Sequence, residues 1–71
     1  MVKIGDTIML TNDALENYGK KYKGKKFRVT HVARNKSEHQ GYDEGVGGNL
    51  IDVEGLNFSL YDWEFRVMRR V

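Results

Sequence analysis

Cysteine and proline are both absent from this 71-residue chain. Without cysteine, neither a disulfide framework nor a thiolate metal site can stabilise so small a fold. Stability must come from aliphatic and aromatic packing or from a partner, and a core of this size supports roughly 3–5 kcal/mol. No apolar run approaches the ~20 residues of a membrane span, and no signal-peptide pattern opens the chain. The expectation is a soluble, cytoplasmic protein without a membrane partner. Serine and histidine are scarce: Ser37, Ser59, His31 and His39 are the only ones, and their spacing is neither that of a nucleophile with its base nor that of a metal site. His39, Asp43 and Glu44 share a glycine-rich stretch, an arrangement toward a hard cation that arises commonly by accident. No catalytic residue, metal ligand or cofactor is assigned, and an enzyme is the least favoured class.

Charge is present in plenty and is strongly segregated. The net value is only +2, but residues 20–36 hold Lys20, Lys21, Lys23, Lys25, Lys26, Arg28, Arg34 and Lys36 with no acid. Residues 37–64 hold Glu38, Asp43, Glu44, Asp52, Glu54, Asp62 and Glu64 with no lysine or arginine. Arg66, Arg69 and Arg70 make the end basic again. Blocks of this size predict a two-signed surface with a candidate anion-binding patch, unless strands of opposite block pair and neutralise one another.

The periodicity is that of strands. Val2 to Leu10 forms the first, kinked at Gly5-Asp6. Thr11-Asn12-Asp13 is capping chemistry, and Asp13 to Tyr18 winds one short helical turn. Tyr22-Lys23-Gly24-Lys25-Lys26 is a basic turn running into a second strand, Phe27 to Ala33. There Phe27 and Val29 share a face, whereas Val32 is out of phase, so a bulge near Thr30-His31 is expected. Asn35 to Gly48 is a polar, glycine-rich hairpin tip, long enough to be mobile or functional. Asn49–Val53 and Leu56–Leu60 follow as strands around Glu54-Gly55, then a 3₁₀ turn at Tyr61-Asp62 and a last strand, Trp63–Val67. Short strands, close turns and no proline predict an all-β, five-stranded small barrel in one domain, with one short helical or 3₁₀ turn. Its expected core is Ile4, Ile8, Leu10, Phe27, Val29, Val32, Leu50, Val53, Leu56, Phe58, Leu60, Trp63, Phe65 and Val67.

Ile4-Gly5-Asp6-Thr7-Ile8-Met9-Leu10, followed by Tyr22 to Val32, resembles the opening of bacterial SH3-like barrels, including the KOW type. The order of the remaining elements is similar as well, although the motif itself spans only about twenty residues. The resemblance implies a binding module for RNA, DNA, proteins or peptides rather than a chemistry. Size and style also look like those of a small phage or mobile-element protein. Leu60-Tyr61-Asp62-Trp63 resembles the Leu-Tyr-Asp-aromatic signature of eukaryotic SH3 domains, but there the motif follows the first strand. Here it precedes the last, so proline-rich-peptide binding does not carry over, and Trp63 reads as a core anchor.

Two non-enzymatic functions remain. In the first, Lys20, Lys21, Lys23, Lys25, Lys26 and Arg28 contact nucleic-acid phosphates, and Tyr18 and Tyr22 offer stacking faces or simply pack the loop onto the barrel. Neutralising three to five phosphates of a single strand gives a log–log salt slope of roughly −2 to −4. In the second, the charged surface and the 35–48 loop meet a protein partner, the loop ordering on contact. A monomer is favoured over an oligomer.

Overall fold

The computed structural model describes residues 1–68; Arg69 and Arg70 of the basic end lie outside the described residues. Five antiparallel strands form one sheet, β1 (Thr7–Leu10), β2 (Lys26–Ala33), β3 (Leu50–Val53), β4 (Leu60–Tyr61) and β5 (Phe65–Met68), in the order β4-β3-β2-β1-β5. A seven-residue helix, α1 (Asn12–Tyr18), and 3₁₀ turns at Lys20–Tyr22, Lys36–Glu38 and Asp62–Glu64 occupy the connections. This is a small, mostly β fold. None of its described helices is long and apolar enough to cross a membrane.

The anticipated slip in β2 is a register shift between Val29 and His31. Val29 pairs Val53, His31 pairs Asp52 and Val32 pairs Ile51, leaving Thr30 as the extra residue. The bulge turns Val32 back onto the interior side that Phe27 and Val29 occupy. It also lets β2 serve β1 along its first half and β3 along its second.

The interior is built on Ile8, Ile51, Leu60 and Val29, each almost wholly inaccessible. Helix α1 adds Ala14 and Leu15 to it. The helix is too short to persist alone. It is held by Thr11, whose hydroxyl accepts from the Ala14 amide at 3.3 Å and donates to the Trp63 carbonyl at 2.8 Å.

Several expectations give way. Ile4 is 64% and Trp63 50% exposed, so neither is a core anchor. Ile4 lies in the turn that Gly5 makes at φ +94°, and the chain buries Val2 in its place. The first strand is accordingly only Thr7–Leu10. Leu56 to Ser59 is not a strand; β4 contains only Leu60 and Tyr61, while Leu56 and Phe58 pack half-buried against the interior. The closing strand starts at Phe65, after the 3₁₀ turn has absorbed Trp63 and Glu64.

The 35–48 segment forms a cover on the sheet's outer face. Tyr42 is buried with Ala33 and Leu50, and Tyr61 packs against them. The Tyr42 hydroxyl donates to the Gly48 carbonyl at 2.7 Å. Leu50 and Ile51 point to opposite faces and are both buried, because this loop supplies a second, smaller core. Ordering of the loop on contact with a partner is therefore not needed to give it a fold.

Candidate nucleic-acid interface

The basic stretch begins in a fixed loop. Lys23 N donates to the Lys20 carbonyl at 3.0 Å and Lys25 N to the Tyr22 carbonyl at 3.1 Å. Gly24 makes the turn at φ +76°, a conformation that side chains with a Cβ adopt at a cost. Lys20, Lys21, Lys23, Lys25, Lys26 and Arg28 are all exposed. Among the described residues the one contact within 4 Å between a basic side chain and a carboxylate joins His39 to Asp52. None of these six cations therefore has a carboxylate within 4 Å among the described residues. Two shallow grooves take four of them, one lined by Lys20, Lys23, Asn12, Leu15 and Glu16, the other by Lys26, Arg28, Phe27, Glu54 and Gly55. Each groove sets two cations against a single carboxylate.

Strand register adds a residue that the linear sequence keeps apart. Met9 of β1 pairs Lys26 on one side and Arg66 on the other. In the adjoining row, Thr7 lies between Arg28 and Met68. Phe27, Ile8 and Val67 fill the alternate row, facing inward. Lys26, Arg28 and Arg66 thus share the outer face of β2-β1-β5, with Met9 between Lys26 and Arg66. Strand geometry puts Lys26 about 7 Å from Arg28 and about 10 Å from Arg66 between Cα atoms. The outward alternation of Arg66 was legible in the sequence; its pairing through β1 was not.

The two tyrosines are drawn inward. Tyr18 stacks on Phe58, with ring centroids 4.2 Å apart and planes 20° apart. Tyr22 meets Phe27 and Phe58 edge-on, at 6.2 and 5.9 Å, and the Lys21 ammonium lies 5.2 Å from its centroid. The Tyr18 phenol is pushed up to about 12, first by burial and then by a hydrogen bond to the Glu64 carboxylate and its charge. Glu64 is itself buried, and accepts from the Tyr61 amide at 2.9 Å. Both rings hold the loop to the interior, and Tyr18 has lost one face to Phe58.

Folding also unites Ser59, His39 and Asp52, which the sequence keeps well apart. His39 Nε2 lies 3.1 Å from Asp52 Oδ2 and 3.2 Å from Ser59 Oγ, and the Ser59 hydroxyl donates to Asp52 Oδ1. His39 Nδ1 accepts from the Gly41 amide at 2.9 Å, so a neutral ring carries its proton on Nε2. The nitrogen facing serine is then a donor, and the carboxylate binds that same nitrogen instead of orienting the ring from Nδ1. A serine nucleophile needs the opposite arrangement. These contacts fasten the 35–48 cover, as does His31 Nε2 at 2.9 Å from the Glu38 carbonyl. No group of three or more histidine, cysteine or acidic side chains placed to hold a metal occurs among the described residues. His39 is turned onto Asp52 and Ser59, while Asp43 Oδ1 accepts from Gly45 N.

Trp63 was missed as a surface residue: apolar alternation with Phe65 and Val67 assigned it inward, and the 3₁₀ turn breaks that alternation. No family model matches this chain, and neither a curated protein nor a solved structure matches it.

Proposed function

We propose that this chain is a small SH3-like barrel whose role is to bind nucleic-acid backbone, duplex ahead of single strand. The barrel reading is supported by the bulged β2 shared between β1 and β3, the β1–β5 pairing, and the single 3₁₀ turn joining β4 to β5. The observation that carries the function is the set of exposed cations, Lys20, Lys21, Lys23, Lys25, Lys26 and Arg28, left without carboxylate partners among the described residues. Arg66 joins them across β1. Backbone recognition draws on such charge and needs no base-reading groups. Single strands draw in addition on aromatic faces for stacking, and Tyr18 and Tyr22 are engaged with Phe58 and Phe27. Charge whose neighbouring tyrosines are engaged in packing the loop favours the denser phosphates of a duplex.

Titration of equal-length duplex and single-stranded oligonucleotides at several salt concentrations tests this. With three to five phosphates neutralised, log K for duplex falls against log salt with a slope of about −3 to −5. Lys23→Glu with Lys25→Glu abolishes binding. Absence of binding at low salt, or binding indifferent to those reversals, refutes the function. Tighter binding of single strands refutes only the order of preference.

A protein partner is the second reading, and one observation favours it. The half-exposed Trp63, stacked on the partly buried Tyr61, lies at the edge of the 35–48 cover.

A further inference from the structure

Trp63 is the chain's single tryptophan and is half exposed. Its indole lies parallel to the Tyr61 ring, with centroids 5.2 Å apart and planes 3° apart. The pair is held from behind. The Tyr61 hydroxyl accepts from the Asp43 amide at 3.0 Å, the Tyr61 amide donates to Glu64 Oε1 at 2.9 Å, and the Trp63 carbonyl accepts from the Thr11 hydroxyl at 2.8 Å. A rigid aromatic surface offers contact area with little ordering cost on binding.

The surrounding charge is acidic. Asp62 precedes Trp63, Asp43 is joined to Tyr61, and Glu44 follows it; all three are exposed. The Asp62 carboxylate accepts from Asn49 N at 2.9 Å and Asn49 Nδ2 at 3.0 Å. Asp43 Oδ1 accepts from Gly45 N at 2.9 Å. Glu44 Oε2 accepts from the Lys36 backbone amide at 3.5 Å, and no lysine or arginine side-chain nitrogen lies within 4 Å of these carboxylates among the described residues. The cations of this side are directed elsewhere, Arg34 Nε to Asn49 Oδ1 at 3.2 Å and Lys36 Nζ to the Gln40 carbonyl.

We propose that the Tyr61–Trp63 face docks a cationic polypeptide segment. A partner arginine stacks its guanidinium on the Trp63 indole, the aromatic face most attractive to cations, and Asp43, Glu44 and Asp62 meet its charge. Complementarity selects this occupant: the same carboxylates repel a nucleic acid, and an uncharged apolar segment leaves them unanswered. None of these residues is among the cations of the basic face, and the proposal does not depend on nucleic-acid binding.

Titration of the intact chain with a hexa-arginine peptide, followed by Trp63 emission and amide NMR shifts, tests the proposal. The expected result is a saturable emission change, with shifts confined to residues 41–44 and 61–64 and none from an equal-length Gly-Ser peptide. Trp63→Ala weakens binding about 2- to 5-fold by the NMR shifts, and Trp63→Phe weakens it less. Amide dispersion of each variant confirms that it is folded. Asp43→Asn with Glu44→Gln weakens binding further and flattens its salt dependence. The proposal is overturned by unchanged Trp63 emission, by shifts centred elsewhere, by full affinity in Trp63→Ala, or by no binding at millimolar peptide. Self-association through this face without peptide, seen by sedimentation, would overturn it in favour of a second copy of the chain.

Discussion

The outer face of β2 carries Lys26 and Arg28 at one end and His31 and Ala33 at the other, and the two ends are treated differently. Beyond the bulge the face is apolar enough to need a cover, and the 35–48 segment lays Tyr42 over Ala33 and Leu50 and fastens His39 to Asp52. Before the bulge the face is cationic and stays open, with Thr7, Met9 and Arg66 beside Lys26 and Arg28. A covered half invests its side chains in stability. An open half contributes little to stability, and its unpaired charge is available to a partner.

The sharpest way to break this contrast is to uncover the closed half. Tyr42→Ala removes the aromatic filling of the second core, and a loss of about 3 kcal/mol is expected by chemical denaturation. Against a net stability of roughly 3–5 kcal/mol, most of the fold's margin goes. A loss below about 1 kcal/mol, on the scale of a surface substitution, would mean that the cover is decorative.

Gly48→Ala follows, at about 2 kcal/mol. Gly48 sits at φ +73°, and an added Cβ would collide with the Asp62 carboxylate that caps Asn49. Thermal melts of Gly48→Ala alone and on an Asp62→Ala background separate backbone strain, which persists in both, from collision, which the truncation removes. Tyr42→Phe keeps the ring and loses only the bond to Gly48, so about 1 kcal/mol is expected.

Alkali loads the covered half and the anchoring of the basic loop together. Burial holds the phenol of Tyr18 up to about 12, and burial with the charge of Glu44 raises that of Tyr42. Both are neutral in the fold. A group whose folded pKa lies above its unfolded value stabilises fully below the unfolded value, about 10 for tyrosine. That stabilisation drains away as pH climbs through the folded one. Denaturation midpoints should fall between about pH 10 and pH 12, and Tyr18→Phe should shallow the fall. An unchanged slope in that variant would place the titration elsewhere.

The smallest effect on stability belongs to the open half. Lys26→Ala and Arg66→Ala should each alter stability by less than about 0.5 kcal/mol, while lowering duplex affinity and each removing about one unit from the salt slope. If Arg66→Ala left the slope unchanged while Lys26→Ala reduced it, β5 would not belong to the binding face.

Sequence patterning alone reached the strand-rich fold, the bulge near Thr30, the helical turn after Thr11 and the exposed basic loop, because period-two alternation, capping side chains and glycine turns are local properties. It placed Ile4 and Trp63 inside, because alternation cannot register a turn that rotates the chain between neighbours. Tertiary structure alone decided that Tyr42 closes a second core and that Ser59, His39 and Asp52 meet. It also decided that Arg66 stands beside Lys26 and that Trp63 lies open on Tyr61. Each of these depends on strand register and loop packing between residues distant in the chain, and the energies that select them exist only once the sheet has assembled.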